Sequence, residues 1–221
     1  MSSKEVILDS RGDIRLRVGK PDSEDGQITF LVCSRALARV SPVFDRMLYG
    51  NFAESKANSG AGDGSGSDWT VTLLEDKPQP MHIFLELAHA NFQQMPKPLS
   101  VDEIYDLTVL TNYYDCTQLV VPWMGMSMPS IDRIMSVPTT PDSTISLSKM
   151  LWVTWELGLQ EAFNDLSRKL LMESAGQWSA DEVQMDVQTP PDILGTFCLT
   201  FHAGSSMGLT KVKPANNGPL P

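Results

Sequence analysis

Between Phe30 and Phe44 the chain reads FLVCSRALARVSPVF, and the Ser41-Pro42 pair inside it constrains the fold more than any other feature. A serine side chain accepts hydrogen bonds from the orphan N–H groups of a helix start, and a proline after it has its φ already set for the first turn. One helix must therefore stop and another begin within a few residues. Ahead of this segment, Ile14, Leu16 and Val18 alternate with Arg15 and Arg17, the period of two of a strand with one buried face. A second strand is predicted over Gln27 to Val32, and the intervening KPDSEDG consists of turn residues, so the two strands read as a hairpin. After Pro42, Val43, Phe44, Met47 and Leu48 fall at helical spacing and Gly50 is a stop signal.

The rest of the chain divides by pattern. NSGAGDGSGSD, residues 58–68, is a Gly/Ser run predicted to be a flexible insert in a loop, and Trp69, Val71 and Leu73 then alternate as a third strand. From Pro80, Ile83, Phe84, Leu87 and Ala88 mark a helix. Ser100-Val101-Asp102-Glu103 is a capping box, followed on one face by Ile104, Leu107, Leu110, Thr111 and Tyr114. A further helix is predicted from Thr117, with Pro122 awkward inside it. Residues 129–146 are rich in Ser, Thr and Pro and read as a linker. A helical pair follows over Leu147–Leu157 and Leu159–Glu173, turning at Gly158. Residues 204–221 lack apolar periodicity and read as a disordered tail. The predicted divisions are an N-terminal extension over 1–12, a domain over 13–128, a linker over 129–146, a helical extension over 147–203 and the tail.

Composition narrows the function. The 221 residues are 42% hydrophobic, enough for a real core, and no apolar run is long enough to cross a membrane. The first residues show no secretory signal, so a cytoplasmic or nuclear location is expected. A net charge of −10 argues against nucleic acid, whose affinity rests on neutralising phosphates. Between Lys97 and Arg133 there is no basic residue, while Asp102, Glu103, Asp106, Asp115 and Asp132 fall there. Neither nucleic acid nor a membrane is expected as a partner. Cys33, Cys116 and Cys198 lie far apart, without metal-ligand spacing, and read as free, buried thiols.

Catalytic motifs fare poorly. Gly204-Ser205-Ser206-Met207-Gly208 fits Gly-x-Ser-x-Gly, but a nucleophile elbow needs an acid and a histidine further along, and LTKVKPANNGPLP supplies neither. A small serine hydrolase using Ser206 is the rival reading from the enzyme class. The Gly60–Gly66 loop lacks the Gly-Lys-Ser/Thr ending of a phosphate cradle. His82 and His89 share a helix face about two turns apart, too distant for one metal without a third ligand. Asp102 and Glu103 complement a helix dipole. No catalytic residue, metal or cofactor is expected.

Gly12-Asp13-Ile14, Phe30 through Phe44, Met47-Leu48 with Phe52-Ala53-Glu54, WTVTLLED, and LSVDEIYDLTVLTNYYDCTQLVVPW occur together and in order. From about Asp13 to Met126 the chain thus resembles a BTB/POZ domain, and its linker plus helical pair is similar to BTB proteins of filamentous fungi. The resemblance implies an α+β fold, a small sheet flanked by a helical bundle, acting as a non-enzymatic protein-interaction module that forms a homodimer. Self-association would use Asp13, Ile14, Leu16, Val40, Val43 and Phe44. It also implies an alternative, a substrate adaptor of a cullin-based ubiquitin ligase. There a hydrophobic-x-Glu triplet after the second helix meets the cullin scaffold, and Phe52 and Glu54 fit it. Phe52 itself is expected to pack on the core.

Overall fold

The computed structural model describes residues 4–56, 58, 69–94, 98–124, 128–129, 131–136, 140–173 and 187–191. The chain divides into two units, Met1–Pro190 and Pro191–Pro221; every element below belongs to the first. The Gly/Ser run beyond residue 58, the tail over 204–221, Ser206 with its Gly-x-Ser-x-Gly, and Cys198 lie outside the described residues.

Four strands form one sheet: β1 (Lys4–Ile7), β2 (Ile14–Val18), β3 (Ile28–Val32) and β4 (Thr70–Leu73), in spatial order β1-β3-β2-β4. The predicted hairpin is present, with Leu16 opposite Phe30. It closes through Gly19, at φ +88°, where an added Cβ would lie 2.7 Å from the Gly26 carbonyl oxygen. β1 pairs in parallel with β3 and β4 in parallel with β2. The strand β1 corrects the reading of residues 1–12 as an extension. Lys4-Glu5-Val6-Ile7 places its two apolar residues side by side, so no alternation announces a strand, and the pairing partner supplies what the pattern lacks.

The helices are α1 (Ser34–Val40), α2 (Pro42–Tyr49), α3 (Pro78–Ala88), α4 (Val101–Tyr113), α5 (Ile131–Ser136), α6 (Pro141–Glu156) and α7 (Gln160–Glu173). Ser41 ends α1 and caps α2, and its Oγ accepts the Phe44 N–H at 3.0 Å. The capping box of α4 is complete in both directions. Pro122 turns the helix predicted from Thr117 into two short 3-10 turns, Thr117–Leu119 and Val121–Trp123, because its ring and missing N–H cannot join a continuing α-helix.

The predicted linker over 129–146 holds α5 and the first part of α6. Proline at a first helical position is as compatible with a helix start as with a linker, and Pro141 takes that place. α6 packs on α4 and α7 on α6, so the helical pair extends the core rather than standing apart from it. The turn between α6 and α7 falls at Gly158, φ +70°.

The sheet's inner face, carrying Ile14, Leu16, Val18, Phe30, Val32 and Val71, is buried beneath the helices. An aromatic stack joins three of them: Phe44 of α2 lies 4.3 Å from Tyr114 and 5.7 Å from Phe84 of α3, centroid to centroid, all nearly parallel. The fold is α+β.

Candidate partner-binding site

Three surface features are built from elements whose local chemistry is now clear. The first is the turn after α2. Gly50 N–H bonds back to the Arg46 carbonyl and ends the helix, and the chain then runs through Phe52-Ala53-Glu54. This turn is tethered on several sides. Phe52 O accepts the Ser55 N–H at 3.1 Å and the Asn58 side-chain amide at 2.7 Å, Trp69 Nε1 donates to Glu54 O at 2.9 Å, and Lys56 N–H returns to Leu48 O at 2.9 Å. Backbone groups make these bonds, so the side chains of the triplet point elsewhere. Phe52 is 55% exposed and Glu54 is exposed. The expectation that Phe52 packs on the core is therefore corrected: Trp69, 3% exposed, fills the place beside the turn.

The second feature surrounds Asp13. Its Oδ1 accepts the Ser34 N–H and its Oδ2 the Ser34 hydroxyl, both at 2.8 Å. With the Ser34 proton committed, the Tyr49 hydroxyl donates to Ser34 Oγ at 2.6 Å. Lys56 Nζ completes the cluster, 3.1 Å from Asp13 Oδ2 and 5.4 Å above the Trp69 ring centre. Burial opposes ionisation of Asp13, but the Ser34 bonds and the Lys56 ammonium outweigh it and hold the carboxyl below its ordinary value.

Of the positions expected to meet a second copy, Ile14 is 1% exposed and Leu16 and Phe44 are fully buried within this chain's own core, so they offer no surface to a partner. Asp13, Val40 and Val43 keep part of theirs. Interface hydrophobes and core hydrophobes share one periodicity, which is why alternation alone could not separate them.

The third feature, missed in the sequence, is a groove of about 480 Å³ between α2, the segment after β4, and α4. Val43, Met47, Leu73 and Val109 give it an apolar lining, with Tyr113 and Tyr114 at one side and Glu75, Asp76, Lys77 and Asp106 among its polar groups. Tyr113, the last residue of α4, is 70% exposed, and Leu74 is also exposed. Tyr114 is buried and donates from its hydroxyl to Asp76 Oδ2 at 2.5 Å. Its backbone carbonyl accepts the Ser41 hydroxyl at 2.6 Å, so one residue ties the groove to the helix break. Burial, and then the Asp76 charge, push the Tyr114 hydroxyl far up. Asp76 is itself raised, by burial and by Glu75 next to it, against the Tyr114 bond. The sequence signal available was the doubled Tyr113-Tyr114 at a helix end, where one ring must turn in and the other out.

The remaining candidates are structural. His89 ends α3 and uses both ring nitrogens: Cys33 N–H donates to Nε2 at 2.9 Å, and Nδ1 bonds the Leu85 carbonyl at 2.8 Å. His82 pairs with Glu86 at 3.2 Å and packs on Phe30. Cys116 is buried, and burial with the Asp115 charge pushes its thiol up to about 12; Cys33 is half-buried, and both are free. Among the described residues no three His, Cys, Asp or Glu side chains are grouped to hold a metal ion, and no helix is long and apolar enough to cross a membrane. No protein-family model and no curated protein matches the chain.

Proposed function

We propose that this chain is a non-enzymatic protein-interaction module of the BTB/POZ kind, able to self-associate, that works by presenting its surface to other proteins. The observation that carries the reading is Phe52: a large aromatic with 55% of its area exposed, on a turn whose backbone is fixed by several hydrogen bonds. A pre-ordered aromatic loses little conformational entropy on docking, and such anchors contribute about 2 kcal/mol or more when they fill a partner's pocket. The order of hairpin, α1, the Ser41-Pro42 break and α2 is consistent with the BTB/POZ resemblance. Self-association is tested by light scattering of the full chain at tens of micromolar. Twice the 24.4 kDa chain mass is expected, and a monomer mass overturns that part of the reading.

A second reading, a substrate adaptor of a cullin-based ubiquitin ligase, is favoured by the same turn, since Phe52 and Glu54 both face outward as a cullin contact needs. Titrating the full chain with the N-terminal domain of a cullin tests it. Binding lost in Phe52→Ala supports the adaptor reading, and no binding by the unaltered chain rejects it.

A further inference from the structure

The groove beside Asp76 carries an electrostatic imbalance that the fold leaves uncorrected. Its lining includes three carboxylates, Glu75, Asp76 and Asp106, and one ammonium, Lys77. Lys77 is already engaged, with Nζ 2.8 Å from both oxygens of Asp106, and Glu75 is held by Lys20 at 2.8 Å. Asp76 differs. Its bond to the Tyr114 hydroxyl satisfies one oxygen without neutralising the charge; of its two charged neighbours in sequence, Glu75 repels it and Lys77 is turned to Asp106. Among the described residues no cation stands within ion-pair distance of Asp76.

A half-buried carboxylate against apolar walls gains most from a cation that arrives together with apolar surface, because both are desolvated in one step. Aromatic rings beside the carboxylate add to that preference: Tyr113 and Tyr114 meet edge to face at 5.1 Å, and the outer ring lies open to solvent. A cation seated over such a ring is attracted by its quadrupole, by about 0.5 to 2 kcal/mol depending on desolvation. Val43, Met47, Leu73 and Val109 supply the apolar contact.

We infer that this groove binds a partner segment in which one arginine or lysine is set among apolar residues, the cation pairing with Asp76 beside the Tyr113 ring. The inference rests on the interaction-module reading and names the chemistry of one partner surface, separate from the Phe52 turn. An acidic or uncharged segment would leave Asp76 unneutralised and bring no compensating pair. Asp106 is a reserve acceptor, silent while Lys77 holds it.

The test is selection of a displayed random 12-residue peptide library on the immobilised full chain, followed by affinity measurement of the enriched peptides as synthetic, fluorescent probes. The retained peptides should share an Arg or Lys flanked by apolar residues, and Arg→citrulline should weaken them at least about tenfold. Asp76→Asn, which can still accept the Tyr114 hydroxyl, should produce a similar loss with unchanged melting temperature. Tyr113→Leu should weaken binding several-fold, and Lys77→Gln, which releases Asp106, should tighten it. Peptides lacking a cation, equal affinity for Asp76→Asn, or no enriched peptide at all overturns the inference. Loss of this inference alone leaves partner capture through Phe52 intact; loss of both defeats the interaction-module reading.

Discussion

Asp13 caps a helix that begins 21 residues further along the chain: its two carboxylate oxygens accept the backbone N–H and the hydroxyl of Ser34, each at 2.8 Å. The N-cap residue of α1 is Cys33, whose own side chain makes no capping bond. A carboxylate at the start of β2 therefore performs for α1 the task that Ser41 performs locally for α2. Asp13→Ala is expected to lower stability by about 1 to 2 kcal/mol, the usual loss of a cap, as seen by denaturant unfolding.

The two perturbed carboxyls should respond to pH in opposite senses. Asp13 is depressed in the folded state, so its contribution is complete above the ordinary carboxyl value of about 3.9 and is lost as pH falls through its lower folded value. Asp76 is raised, so the folded state holds the extra proton and its contribution falls as pH rises from about 3.9 through the raised folded value. The destabilisation caused by Asp13→Asn should therefore shrink in strong acid, whereas Asp76→Asn, without effect on stability near pH 7, should become destabilising relative to the unaltered chain as pH falls towards about 4. Chemical denaturation of the three proteins across this range checks both signs.

Ser41→Ala is expected to cost about 2 kcal/mol or more, because it strips partners from two buried groups, the Phe44 N–H and the Tyr114 carbonyl. Ser41→Thr should retain part of the loss, since it keeps an oxygen but must fit a methyl group into a site with no exposed area. The comparison is read from melting temperature.

His89 should be a single neutral tautomer with its proton on Nδ1. A backbone N–H can only donate and a carbonyl can only accept, so Cys33 N–H fixes Nε2 as acceptor and Leu85 O fixes Nδ1 as donor. Nitrogen-15 chemical shifts of the ring near pH 8 check this, and an Nε2–H form would contradict it.

Much of this architecture is legible in the amino-acid sequence. Ser41-Pro42, the Ser100–Glu103 box and the alternation of Ile14, Leu16 and Val18 are local signals, each with a physical cause inside a few residues. What escaped reading depends on distant partners. β1 exists because β3 offers its edge, and Phe52 is outside because Trp69, 17 positions on in the sequence, occupies the space beside its turn. Ile14, Leu16 and Phe44 looked equally suited to a core or an interface, and only burial separates the two. The groove is assembled from α2, the segment after β4 and α4, so no single window of sequence could contain it.

The claim that this chain works through its surface is tested most directly by quantitative mass spectrometry of the proteins that co-purify with the full chain from its source cell, compared with Phe52→Ala. With 55% of the area of Phe52 exposed, Phe52→Ala should cost well below the roughly 3 to 5 kcal/mol of a core Phe→Ala truncation, and the variant's melting temperature separates loss of partners from unfolding. The account predicts a variant that stays folded and a defined set of proteins lost from it, with a cullin among them if the adaptor reading holds. The same proteins recovered in the same amounts with both chains would contradict it.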